Sequence, residues 1–341
     1  MNGGPRVLVA GAGALGLCAA VALARRGAQV TLDDPAAPGD NASGVAAGML
    51  APVFEAALDP LAAPHFDLLM AARDLWPAFA AATGVEIATA GPLAVGDPAW
   101  LDETAGRIGA LGAPLRQLDR AALDAAAPGL APAFRSGLAC AADWRLDPPS
   151  ALAALRRAAQ SLGVSFRAQA AAYTKDFDLL IIATGAGRDL AGLAPEIAAL
   201  APIKGHILRL PVPQARVIRS QGVYLVPVEG GLAAGATMEP GLDDRRIDAA
   251  QVARLHEAAA RLFPALAEAP ATAAAGVRAA TPDGLPLAGP SATPGVLIAA
   301  GARRNGWLLA PLVAEVAAAY ALGAEPGPFA ARMRPARFSP G

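Results

Sequence analysis

Apolar positions along the chain fall into short unbroken runs alternating with amphipathic stretches, and that alternation predicts a parallel sheet. The run RVLVA, Arg6–Ala10, is apolar after its first residue, as in a strand buried on both faces. Residues 14–26 carry helical spacing, Gly27 stops them, and 29–32 supply a second strand. This is a strand–helix–strand unit of the parallel kind. A loop of small residues follows at 42–52, then helical stretches to about 82. From Val85 the pattern changes to short strands and turns, with helical pieces at 99–110 and 119–126. Pro148-Pro149-Ser150 opens a helix that feeds the strand VSFRA, and DLLIIAT (178–184) is a further apolar strand. Alternation of period two marks 203–237, in HILRL and GVYLVPV, before a helix at 249–262. The strand GVLIAAG and a helix over 307–321 close the chain.

These segments predict an α/β chain of two interleaved domains. A Rossmann-like dinucleotide-binding domain would take 1–83, 146–202 and 278–341. An antiparallel-sheet α+β domain for substrate would take 84–145 and 203–277.

Composition removes several function classes. With 28 basic and 29 acidic residues the formal net charge is −1, which argues against a nucleic-acid partner bound by phosphate neutralisation. Cys18 and Cys140 form no disulfide framework, and His65, His206 and His256 are too scattered for a zinc motif, so no metal is expected. The two cysteines read as core residues in a reducing compartment. The apolar run 7–24 is long enough to suggest a membrane span or signal sequence, but it holds Gly11, Gly13 and Gly16 and only Arg6 precedes it. A cytoplasmic protein without a membrane partner is the expectation. The basic residues include only two lysines, Lys175 and Lys204.

The chemistry lies in glycine-rich turns. Gly11-Ala12-Gly13-Ala14-Leu15-Gly16 sits between a strand and a helix, so a pyrophosphate can approach the helix's positive end. Asp34 follows at the tip of the second strand, where a carboxylate accepts hydrogen bonds from a ribose; the adjacent Asp33 points the other way. This motif alone does not separate NAD from FAD. In 42–52, Ser43, Gly44, Ala46, Ala47 and Gly48 lead to Met49, a backbone that can line a phosphate or flavin ring closely. Near the C-terminus GVLIAAGARRNGWLLAP runs strand, glycine turn, helix, aiming a second helix N-terminus at the cofactor.

At this point the whole chain resembles the D-amino-acid oxidase/glycine oxidase family of FAD-dependent amine oxidases, and within it the glycine oxidases of thiamine biosynthesis. The matching segments are GAGALG (11–16), ASGVAAGML (42–50), PIKG (202–205), YLVP (224–227), GATMEPG (235–241), GVRAATPDGLPLAG (276–289) and GARRNGWLLAP (301–311), in family order. The resemblance implies that Arg278 binds the substrate carboxylate with Tyr224, that Arg304 and Met238 line the site, and that Met49 lies beside the flavin. It implies cofactor contacts at Gly11, Gly13, Ala14, Gly16, Asp34, Ser43, Ala47, Gly48, Met49, Thr184, Gly185, Arg304, Asn305 and Gly306. FAD would be held non-covalently, since neither cysteine lies in an attachment motif. The implied reaction is oxidative deamination of glycine or a similarly small amino acid. Hydride passes from Cα to flavin N5, the imino acid hydrolyses, and dioxygen gives hydrogen peroxide. The alternatives are a same-fold dehydrogenase using a quinone, and a flavin domain of tRNA modification. A homo-oligomer is left open.

Three departures from the family pattern stand out. Asp34 replaces the usual Glu, and His206 follows Lys204-Gly205 where Glu or Gln is expected. Only QAAAYTKDF separates VSFRA from DLLIIATG, where relatives insert a β-meander over the adenosine half of FAD.

Overall fold

The computed structural model describes residues 4–338. Two sheets organise them. In the first, of six strands, the order is Leu287–Pro290, Val296–Ala300, Leu179–Ile182, Arg6–Ala10, Gln29–Asp33, Ser165–Arg167. All neighbours are parallel except the edge pair Leu287–Pro290 and Val296–Ala300. After their first residues, strands Arg6–Ala10 and Leu179–Ile182 are fully buried because helices Ala14–Ala24, Pro148–Ser161 and Gly306–Leu322 pack over one face. The other face is covered by the segment holding Ala194, Ile197 and Leu200. Double cover is why Arg6–Ala10 and Leu179–Ile182 read as plain apolar runs.

The second sheet has nine strands and is mostly antiparallel, built around the long strand Ala201–Leu210. Thr272–Ala280 pairs with that strand along its whole length on one side. Gly231–Gly235, Val223–Val228 and Ile218–Ser220 follow on the other. Helix Ala249–Leu262 covers one face of this sheet, with Leu255, Ala259 and Leu262 against Leu208 and Leu225. The boundary expected at 277/278 falls inside strand Thr272–Ala280, which carries Arg278. The loop at 42–52 contains a short helix, Ala42–Val45, capped by the Asn41 side chain, and a strand, Met49–Leu50, paired with Trp144–Arg145.

The first helix ends at Ala24, two residues before the sequence pattern stops, in a turn where Gly27 is left-handed and the Ala28 amide donates to the Leu23 carbonyl. Among the described residues no helix is long and apolar enough to cross a membrane.

Candidate active site

The glycine-rich turn leaves strand Arg6–Ala10 and opens helix Ala14–Ala24, whose first amides have no partner inside the helix. A Cβ on Gly16 would sit 1.9 Å from the Gly11 carbonyl oxygen, so only glycine lets the helix pack this closely on the turn. Ser43 Oγ accepts from the Ala14 amide at 3.0 Å, placing the small-residue segment at this helix end. Asp34 accepts from the Ala12 amide at 2.7 Å and from the Ala36 amide at 2.9 Å. Asp33 is buried, and Arg167 binds it through Nε and Nη2, each at 2.7 Å. Of the two neighbouring acids, then, Asp34 faces the glycine turn and Asp33 is committed to an ion pair.

A cavity of about 360 Å³ lies between the antiparallel sheet, the 45–49 segment and the start of helix Gly306–Leu322. Tyr224, Arg278, Met238 and Arg304 all line it, with Ala47, Gly48, Met49 and Asn305. Register explains the convergence. Tyr224 is opposite Gly235, and a Cβ on Gly235 would come within 2.8 Å of the Tyr224 hydroxyl, so the ring lies across that strand. Two strands from Tyr224, Gly205 carries the Arg278 guanidinium above it; a Cβ there would be 2.4 Å from Nη1. Arg278 Nη1 donates to the Thr237 carbonyl at 3.3 Å. Trp307 Nε1 donates to the Ser43 carbonyl at 3.1 Å, tying the C-terminal helix to the small-residue segment.

The electrostatics follow from enclosure. Burial raises the Tyr224 phenol above its ordinary value, against the pull of Arg278, Arg304 and Arg219, so the hydroxyl keeps its proton. Burial likewise lowers the Arg278 guanidinium, which stays cationic because its ordinary pKa is so high. The Glu55 carboxylate raises Arg304. For Glu55 itself burial is the largest influence and pushes upward, but Arg304, Arg219 and Arg303 together outweigh it and hold the carboxyl below the usual range.

Lys204 and His206 leave strand Ala201–Leu210 on the face away from the cavity. Lys204 Nζ pairs with Asp244 at 2.7 Å. His206 Nδ1 lies 2.9 Å from Glu239 Oε1, and its Nε2 accepts from the Asp248 amide at 3.0 Å. Thr184 and Gly185 follow Ala183, whose carbonyl lies against the Gly11 turn, and Thr184 Oγ1 donates to the Gly187 carbonyl. Both cysteines are free and buried, and burial raises both thiols, Cys140 to about 11. Among the described residues no cluster of His, Cys, Asp and Glu could hold a metal ion.

The cavity residues that were not anticipated include Glu55, Arg219, Trp100 and Trp307. Glu55 and Arg219 are each the lone charge in an apolar helix and a short strand, which was their only sequence signal. The tryptophans are two of only four in the chain.

The residues fit an extended dinucleotide. Helix end and Asp34 suit the pyrophosphate and ribose, and the glycine-lined cavity at the far end suits a flavin ring and a small substrate. The chain is similar to the glycine oxidase of Geobacillus kaustophilus, 31% identical over 347 residues that cover 90% of each chain. It is similar to ThiO of Rhizobium etli, named for thiamine biosynthesis, at 33% identity over 92% of this chain and 95% of the relative. The crystal structure of the Geobacillus kaustophilus glycine oxidase superposes with a TM-score of 0.79 at 28% identity, over 98% of both chains. That of iminodiacetate oxidase from Chelativorans sp. BNC1 gives 0.81 at 25%, over 98% and 99%. The DAO family profile, described as FAD dependent oxidoreductase, matches residues 6–320. On that match the chain belongs to the DAO family of FAD dependent oxidoreductases, and its cofactor is FAD.

Proposed function

We propose that the protein oxidises the Cα–N bond of glycine or another small amino acid. The observation that carries this reading is the meeting of Arg278 and Tyr224 in one cavity beside Ala47–Met49 and Asn305. A planar guanidinium binds a carboxylate through two parallel hydrogen bonds, and a protonated phenol donates a third. The Thr237 carbonyl holds one edge of Arg278, so its fork is oriented before substrate arrives. With the carboxylate fixed there, the Cα–H would be held toward the flavin. FAD, which the glycine turn, Asp34 and the Ala47–Met49 segment would hold, would supply the acceptor for the Cα hydride, with dioxygen as the final electron acceptor. Amino acid, water and dioxygen then become 2-oxo acid, ammonia and hydrogen peroxide. The protein supplies orientation and an enclosed site; no side-chain nucleophile is required.

A role in thiamine biosynthesis is supported by the name of the Rhizobium etli relative. The test is an absorbance spectrum of purified protein before and after anaerobic glycine, followed by admission of air. Loss of the flavin bands, then peroxide, is the expected result. A spectrum unchanged by glycine and by other small amino acids removes the reading. Bleaching without peroxide assigns a different electron acceptor.

A further inference from the structure

Arg219 stands directly across from Tyr224 in the register of strands Ile218–Ser220 and Val223–Val228. Such partners project to the same face with Cβ atoms about 5 Å apart. Arg219 therefore enters the cavity on the side of Tyr224 away from Gly235 and Arg278. It is only 3% exposed, and the Phe54 ring lies 5.4 Å from its guanidinium carbon. Its Nη2 donates to Glu55 Oε1 at 3.1 Å, while its Nε and Glu55 Oε2 are buried with no partner.

Glu55 does not belong to Arg219 alone, because Arg304 Nη2 reaches the same oxygen at 3.3 Å. Asp143 also acts on Arg219, but its two oxygens are taken by the Val53 and Phe54 amides. Cavity-lining charges are thus Arg219, Arg278 and Arg304 against Glu55. Arg304 also lies 3.7 Å from Asp59, whereas Arg219 has Glu55 as its only hydrogen-bonded anion among the described residues, so a substrate with one carboxylate, docked on Arg278, adds nothing to the partners of Arg219. A buried guanidinium with unmet donors is costly unless an anion completes it.

We infer that Arg219 is a specificity residue whose partner is a second carboxylate on the substrate, so that the preferred substrates are amino acids carrying two carboxylates, the second on the side chain or on an N-carboxymethyl arm. The inference rests on the amine-oxidation reading above and names its substrate class.

The test has a binding arm and a turnover arm, both on FAD-loaded protein. Succinate and butyrate, with four carbons each and no amine to oxidise, are titrated while the flavin absorbance is followed. Succinate should bind at least about tenfold more tightly than butyrate, the gain of a charge-assisted contact. Arg219→Met should erase the difference and Arg219→Lys should keep part of it. Equal affinities in the parent protein overturn the inference without recourse to any variant, and so does a difference that survives Arg219→Met. In turnover, kcat/KM for iminodiacetate or for aspartate should exceed that for glycine by about tenfold or more. The better of the two tells which arm Arg219 reads, and glycine surpassing both overturns the inference. If succinate is favoured but no amine bleaches the flavin, the anion subsite stands and the proposed reaction fails. If glycine is oxidised while succinate and butyrate bind alike, the reaction stands and this inference fails.

Discussion

Arg278 lines the cavity and Asp34 faces the glycine turn, and the role proposed for each can be tested by truncation. Arg278→Ala leaves a docked carboxylate without its guanidinium, a loss of about 2–5 kcal/mol when such a charge pair is broken. The kcat/KM for the amino-acid substrate should fall by more than about thirtyfold, with FAD content unchanged. Arg278→Lys should restore only part, because an ammonium has charge without the fork. Normal turnover by Arg278→Ala would move the carboxylate anchor elsewhere. Asp34→Ala removes a charged acceptor worth roughly 1.5–3 kcal/mol, so FAD affinity should drop about ten- to a hundredfold, with substrate preference unaltered. Quenching of flavin fluorescence on titration into apoprotein measures this. Retention of parental affinity would pass the ribose contact to another group. Asp34 was legible because strand side chains alternate, and its neighbour Asp33 turns inward to Arg167. Arg219 and Glu55 were not legible: 164 residues separate them, and only folding makes them partners.

At the scale of elements, helix Pro52–Leu58 carries Glu55 into the cavity, and its first turn is held from a distance by Asp143. That carboxylate accepts from the Val53 amide at 2.8 Å and the Phe54 amide at 3.0 Å. Burial pushes Asp143 up to about 6 from an ordinary 3.8, against the pull of Arg219 and the two amides. The folded state therefore holds this proton more tightly than the unfolded chain. The group's contribution to stability is lost as pH rises from about 4 to about 6 and is constant above. Urea melts of the parent and Asp143→Asn at pH 4, 5, 6 and 7 isolate the effect. The parent should lose up to about 3 kcal/mol relative to the variant across that range. A difference that is flat or grows with pH would contradict the assignment. Elements with local signals were readable in advance. Helix Ala249–Leu262 is capped by Asp248, whose carboxylate accepts from the Ala250 and Gln251 amides, and its apolar spacing marks the buried face. Strand Met49–Leu50 was not, since its partner Trp144–Arg145 lies far along the chain.

For the whole molecule, the site draws on widely separated stretches: the turn at 11–16, Asp34, the 43–49 segment and 304–307 from the other end of the chain. A ligand that binds only this assembled state stabilises it. Free FAD at about a hundred times its Kd should add about 2.7 kcal/mol to unfolding. Thermal melts of apoprotein should rise by several degrees with added FAD, and Asp34→Ala should need more FAD for the same rise. A melting temperature independent of FAD would show that the cofactor site is not linked to folding.

The sequence by itself determined the main succession of strands and helices and the glycine turn that a pyrophosphate requires, because each depends on neighbours a few residues apart. Resemblance carried Tyr224, Arg278 and Arg304 to the site as individual residues. Only the tertiary structure decided what surrounds them. Sheet register set Arg219 opposite Tyr224, and the packing of helix Pro52–Leu58 brought Glu55 between two guanidiniums. The face of strand Ala201–Leu210 turned Lys204 and His206 away from the cavity toward Asp244 and Glu239. Charge balance in a buried site is a property of groups distant in sequence, and it exists only once the chain has folded.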